Sequence, residues 1–201
     1  MLDAALRRYI DPPLDRMGAA VHRLGLSANQ VTLIGLGAGL MAAGAIALGA
    51  YAAGLVLILA SRLADGLDGA VARRAGITDF GGYLDIACDF LFYGAIPLGF
   101  VLADPANNAV PGAALLAAFY FNGTTFLGYA VLAERRGLET AARGLKSLYF
   151  TGGLLEGTET ILFFVAFCLF PQAFPLIALV FAAGCVITGT SRVLLAWRLF
   201  R

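Results

Sequence analysis

The sequence predicts an all-α integral membrane protein: six transmembrane helices behind an N-terminal amphipathic arm. Three observations carry that prediction. Hydrophobic residues make up 60% of the 201 and charged residues 13%, a charged share about half that of a soluble domain. Mean hydropathy is +0.84. The apolar residues also fall in blocks of about twenty, the length that crosses a bilayer core at about 1.5 Å per residue. A separate soluble domain has no room in this length. No aromatic-basic pattern of a nucleic-acid binder is present, and no long-period repeat.

Residues 1–27 form the arm. Leu2, Leu6, Tyr9, Ile10, Leu14, Met17, Val21 and Leu24 recur at steps of three or four, and Asp3, Arg7, Arg8, Asp11, Arg16 and Arg23 fill much of the remainder. Recurrent arginines and the lack of a continuous apolar core argue against a cleavable signal peptide. Pro12-Pro13 predicts two short helical pieces resting on the headgroups rather than one, with a lipid gate as the competing role. His22, the sole histidine, lies in this arm and reads as a surface residue.

Residues 28–201 are expected to form a single bundle, with spans near 29–49, 52–74, 80–103, 111–133, 149–170 and 174–197. Lys and Arg gather before the first span, near the loops after the second and fourth, and toward the end of the sixth. The connections near 50, 104–110 and 171–173 carry none. Positive charge collects on the cytoplasmic side, so both termini and the second loop are expected there, in a bacterial inner membrane. Cys88, Cys168 and Cys185 fall inside spans without a C-x-x-C pair and read as packing residues. Gly35-x-x-x-Gly39 offers a helix contact, either between chains or within one bundle.

Against this apolar background stand Asp65, Asp68, Asp85 and Asp89. At about 100° per residue, Asp65 and Asp68 share one helix face, as do Asp85 and Asp89. The turn-like stretch 74–79 between them predicts an antiparallel hairpin near Ile77. Asp65 and Asp89 each lie twelve residues from Ile77, Asp68 nine and Asp85 eight, so the pairs come level across helices expected to approach to about 8–10 Å. A carboxylate deep in a bilayer costs about 2.5–3.5 kcal/mol. Divalent cations offset that cost, and oxygen donors favour magnesium or manganese. Four such arms can hold one ion, or two about 3.5–4 Å apart.

The run D-x-x-D-G-x-x-A-R-x7-G-x-x-x-D-x-x-x-D resembles the signature of the CDP-alcohol phosphatidyltransferase family. Every fixed position is met, by Asp65, Asp68, Gly69, Ala72, Arg73, Gly81, Asp85 and Asp89, with Gly66 commonly shared. The resemblance implies a homodimer of six-span chains. It also implies a transfer dependent on magnesium or manganese, with two ions expected, that moves a phosphatidyl group from CDP-diacylglycerol to an alcohol hydroxyl and releases CMP. By the same resemblance Asp65, Asp68 and Asp85 ligate metal, while Asp89 helps hold a second ion or acts as general base. Gly66, Gly69 and Ala72 would admit the cytidine against the helix backbone, and Arg73 would meet nucleotide or phosphate. Small-residue helix packing is the competing reading for the glycines. Asn29 and Thr32 share a face at the start of the first span and point to nucleotide or phosphate binding. Capping by Ser27 or Asn29 competes with this, and Ala28 stands where the family often has proline.

Arg143, Lys146 and Arg192 are candidates to clamp a phosphate on the acceptor, which puts glycerol 3-phosphate and inositol phosphate first among acceptors, ahead of serine or another small alcohol. Glu156 and Glu159 fit a purely anionic acceptor less well, and the stretch 146–160 resembles a less characterised bacterial branch of the family. Two alternatives remain: transfer of a headgroup from a soluble CDP-alcohol to a lipid, and, from another class, a cation transporter. A conducting path would continue its polar lining across the membrane, whereas the outer half-spans are almost uncharged.

Overall fold

The computed structural model describes residues 2–137 and 157–200, with side chains from residue 12 onward. Its helices are α1 (Leu2–Arg23), α2 (Ala28–Ala47), α3 (Tyr51–Ala75), α4 (Asp79–Ala103), α5 (Pro105–Arg135), α6 (Gly157–Leu169) and α7 (Phe174–Phe200), with a 3-10 turn over Pro171–Ala173 before the last. None of the described residues forms a strand. Four helical segments are long and apolar enough to cross a membrane: α2, α4, α5 and the unit Pro171–Phe200. Many large apolar side chains on them are exposed, such as Ile34, Met41, Leu102 and Leu176, as expected of surfaces that face lipid. The expected fifth span lies partly outside the described residues.

Two features of the chain depart from expectation. The arm is one helix through Pro12 and Pro13, not two pieces. Each proline removes one intrahelical donor, a loss that water or headgroups can meet on an interfacial helix. The fourth expected span begins earlier, at Pro105, because Asp104 caps α5: its Oδ1 accepts from the Asn107 N–H at 3.3 Å. Proline at the first helical position needs no donor there.

Close backbone packing joins α2 to both α3 and α4, and α5 to α7. The backbones of the two helices of the aspartate hairpin do not pack closely on each other, and the two meet through side chains such as Arg62 and Asp89. α2 runs against both, and its small residues explain how. A Cβ on Gly35 would sit 3.1 Å from Ala64 Cβ on α3, and one on Gly39 would sit 2.5 Å from the Phe92 ring on α4. The Gly35-x-x-x-Gly39 pair therefore serves packing within the chain. Gly76, at φ 107°, turns the chain from α3 toward α4, a conformation that side chains with a Cβ rarely adopt.

The apolar core gathers Phe92, Phe100, Phe164, Phe167, Phe174 and Phe181 with Ile46, Ile58 and Ile96. Phe100 stacks on Phe174 at 4.9 Å between ring centroids, and Phe163 on Phe181 at 4.1 Å. The three cysteines are free and buried, as packing residues should be, and His22 is exposed in the last turn of α1.

Candidate metal centre and active site

The hinge at 76–78 sends α4 back beside α2, with Thr78 capping it by accepting the Gly81 N–H at 3.0 Å. This register brings one carboxylate oxygen each from Asp65, Asp68 and Asp85 within 4.8 Å of one another. A cation bonded to oxygen at about 2.1–2.4 Å spans donors up to about 4.8 Å apart, so the three arms fit a single divalent ion. Oxygen-only donors suit magnesium or manganese. Asp68 is buried, and its Oδ2 accepts the Thr32 hydroxyl at 2.6 Å. Thr32 thus orients a candidate ligand from behind, as outer-shell partners of metal sites do.

Asp89 behaves differently. Its Oδ1 accepts from Arg62 Nη1 at 2.8 Å, and the same nitrogen lies 3.4 Å from Asp65 Oδ1. The Arg62 guanidinium rests 4.0 Å above the Phe92 ring centroid and is mostly buried, with 16% of its side chain exposed. Arg62 is the residue that sequence reasoning passed over. The charge pattern assigned basic residues to loops and span ends, yet this one stands three positions before Asp65 inside an apolar helix. An intramembrane arginine is itself a functional signal.

The other expected site residues are placed as follows. Ser27 supplies the α2 cap, exchanging bonds with Gln30 (2.9 Å from Ser27 N–H to Oε1, 3.3 Å from Gln30 N–H to Oγ), so Asn29 is not the capping residue. Asn29 lies instead by the first turn of α4, where a Cβ on Gly81 would stand 3.2 Å from its Oδ1. Gly66 faces α1, and a Cβ there would lie 2.8 Å from Leu14 Cδ1. Gly69 keeps open space apart from the Arg73 guanidinium. Ala72, half-buried, accepts the Gly76 N–H at the helix end. Arg73 Nη2 bonds Asp15 Oδ1 at 2.8 Å, and Arg74 donates to the Asp15 carbonyl at 3.2 Å. The arm therefore docks on the helix face expected to receive nucleotide. Arg192 on α7 donates to Asn122 Oδ1 on α5 at 2.6 Å and does not line the aspartate cavity. Glu159 lies in the first turn of α6. Arg143, Lys146 and Glu156 fall outside the described residues.

An all-helical membrane bundle with three converging aspartates in this signature defines a class. Residues 25–195 match the CDP-alcohol phosphatidyltransferase family, and the chain belongs to it: it is a membrane-embedded transferase. It is 47% identical to the inner membrane protein YnjF of Escherichia coli, over 96% of this chain and 94% of that one. It is 30% identical to the phosphatidylinositol phosphate synthase of Mycobacterium marinum, over 96% of this chain and 82% of that protein. The phosphatidylinositol phosphate synthase of Mycobacterium tuberculosis, solved with manganese and citrate, superimposes with a TM-score of 0.69 at 26% identity, covering 92% of this chain and 88% of that one.

Proposed function

We propose that this protein transfers a phosphatidyl group from CDP-diacylglycerol to the hydroxyl of a phosphorylated alcohol, with inositol phosphate the leading acceptor and glycerol 3-phosphate next. The observation that carries the reading is the convergence of Asp65, Asp68 and Asp85 within 4.8 Å. The inositol phosphate synthases among its relatives support the choice of acceptor.

Asp65, Asp68 and Asp85 would hold the divalent cation, with Thr32 fixing Asp68. Bound there, the ion supplies charge that neutralises the diphosphate and stabilises the departing CMP oxygen. Asp89 is the general base. Its Oδ1 is engaged by Arg62, leaving Oδ2 to take the proton as the acceptor oxygen attacks the lipid-bearing phosphorus. One P–O bond forms to the acceptor, the P–O bond to CMP breaks, and the acceptor proton ends on Asp89. Positioning and charge stabilisation dominate such chemistry. Asn29, Gly66, Gly69, Ala72 and Arg73 form the nucleotide face once α1 shifts from it. Arg143, Lys146 and Arg192 remain the proposed acceptor clamp.

The same reading places the site and both termini on the cytoplasmic side of an inner membrane, in a homodimer of chains that each form one six-span domain. A transporter is disfavoured because, among the described residues, the side chains buried beyond Asp89 include the apolar rings of Phe92, Phe164 and Phe181, where a conducting path would want a polar lining.

The test is CMP release by purified protein given CDP-diacylglycerol, manganese and a panel of acceptors. Release with inositol phosphate but not with free inositol supports the proposal. Cation flux into liposomes without CMP release would replace it with the transporter.

A further inference from the structure

We propose that α1 is a hinged lid: docked, it covers the nucleotide face of α3, and the diphosphate of CDP-diacylglycerol opens it by taking Arg73 from Asp15. This rests on the phosphatidyl-transfer reading, which puts the nucleotide on that face, and deepens it.

The docked arm covers both motif glycines of α3. Leu14 lies directly over Gly66, where a Cβ would stand 2.8 Å from Leu14 Cδ1. Gly69 is covered at second hand. Asp15 Oδ1 accepts from Arg73 Nη2 at 2.8 Å, and Nη1 of the arginine so held stands 3.5 Å from the place of a Gly69 Cβ. Arg74 Nη2 donates to the Asp15 carbonyl at 3.2 Å. Gly18 lets the two helices approach here, since a Cβ on it would lie 2.6 Å from Ala70 Cβ.

The hold is light. Within residues 12–23 of α1 only Gly18 is buried, and none of them enters the apolar core. Asp15 and Arg73 are each about half exposed, and such pairs bind weakly. The connection to α2 is built to turn. Gly25 takes φ 81°, a conformation that favours glycine, and a Cβ there would meet nothing within 4 Å. The cap made by Ser27 and Gln30 fixes the start of α2 just beyond it, so bending falls on residues 24–26. A phosphate offers the guanidinium two oxygens in a matching fork, and the half-exposed Arg73 is within its reach. Like charge then drives the Asp15 carboxylate away from the bound diphosphate. Opening and binding are one equilibrium, shifted by the difference in affinity between the two arm positions.

The experiment places spin labels on Met17→Cys in α1 and Leu132→Cys in α5 of the full chain in detergent. Both positions are exposed, and the native cysteines are buried. Double electron–electron resonance reads the distance between the labels with magnesium present and no acceptor. Retained radiolabelled CDP-diacylglycerol is counted on the same sample. One distance is expected with phosphatidic acid, and a second, well-separated one with CDP-diacylglycerol. Gly18→Leu leaves no room for docking beside Ala70. It should show the second distance without substrate and lower KM for CDP-diacylglycerol about fivefold, as when the cost of opening is removed. Bound CDP-diacylglycerol with an unmoved distance overturns the lid alone. An equal shift with phosphatidic acid overturns it too, because lipid charge rather than the nucleotide would then move the arm. A Gly18→Leu chain that opens yet shows a raised KM overturns it as well. No retained CDP-diacylglycerol overturns the phosphatidyl-transfer reading and the lid together. Should Gly18→Leu fail to fold, the label pair in the otherwise native chain still decides.

Discussion

Between α3 and α4, Asp65, Asp68, Asp89 and Arg62 line a small cavity backed by α2, with Asp85 converging on Asp65 and Asp68 beside it. Further along the same α4 helix, Ile96 and Phe100 enter a cluster of stacked and edge-on rings shared with α6 and α7. The two regions use one scaffold for opposite purposes. In a membrane, burying an apolar side chain gains little over leaving it in lipid, so the aromatic end holds through van der Waals contact and ring geometry. The polar end costs energy unless its charges are met; Thr32 and Arg62 meet part of them, and a cation held by the aspartates would meet the rest. Phe92 belongs to both. One face carries the Arg62 guanidinium, while the ring meets Phe164 at 5.8 Å between centroids.

If the regions are as distinct as this, substitutions should separate activity from stability. The largest effect is expected at the polar end. Asp68→Asn should cut CMP release about 1000-fold, the scale of losing a principal electrostatic group, and weaken manganese binding, with little change in melting temperature. A variant that binds manganese normally would remove Asp68 from the ligand set. Thr32→Val comes next. It deletes the 2.6 Å bond to Asp68 and should lower manganese affinity about 10-fold, as for outer-shell partners, which isothermal titration would measure.

At the aromatic end the signature should reverse. Phe181→Ala removes a fully buried ring in contact with Phe119, Phe163 and Phe164. It should destabilise the bundle by about 3 kcal/mol, seen as earlier thermal unfolding, while kcat per folded molecule holds. Phe92→Leu sits on the boundary. A loss of both stability and kcat, each smaller than in the extreme cases, would support the linkage through Arg62. An effect on stability alone would break it.

The two regions were also unequally legible in the sequence. The aspartate signature is a set of fixed spacings, so its convergence could be read from helical periodicity and the hinge at Gly76. Thr32 was visible as a polar residue opening a span, although its partner was not, because Asp68 lies on another helix. Arg62 was hidden by the rule that basic residues mark loops, a rule that says nothing about an arginine neutralised inside the bundle. Residue counts from the hinge placed the carboxylates level. They could not show that α2 packs against both α3 and α4, which depends on Gly35 and Gly39 facing different neighbours. Asp104-Pro105 carried its helix start in plain view as a cap followed by proline, overlooked because the apolar block begins later. The phenylalanines were visible as apolar spans, but which rings meet is a matter of tertiary packing.

The smallest expected effect tests the border between the arm and the polar end. Asp15 bonds Arg73 at 2.8 Å, with both side chains roughly half exposed, and Leu14 lies over Gly66. An exposed ion pair contributes about 0.2–1 kcal/mol and weakens with salt. Asp15→Asn should therefore leave the melting temperature nearly unchanged. If Arg73 serves the nucleotide, the arm competes with substrate for it. Releasing that arginine should then lower KM for CDP-diacylglycerol by about twofold at low ionic strength, with the difference vanishing as salt screens the wild-type pair. A raised KM would mean that the docked arm helps to form the nucleotide face rather than cover it.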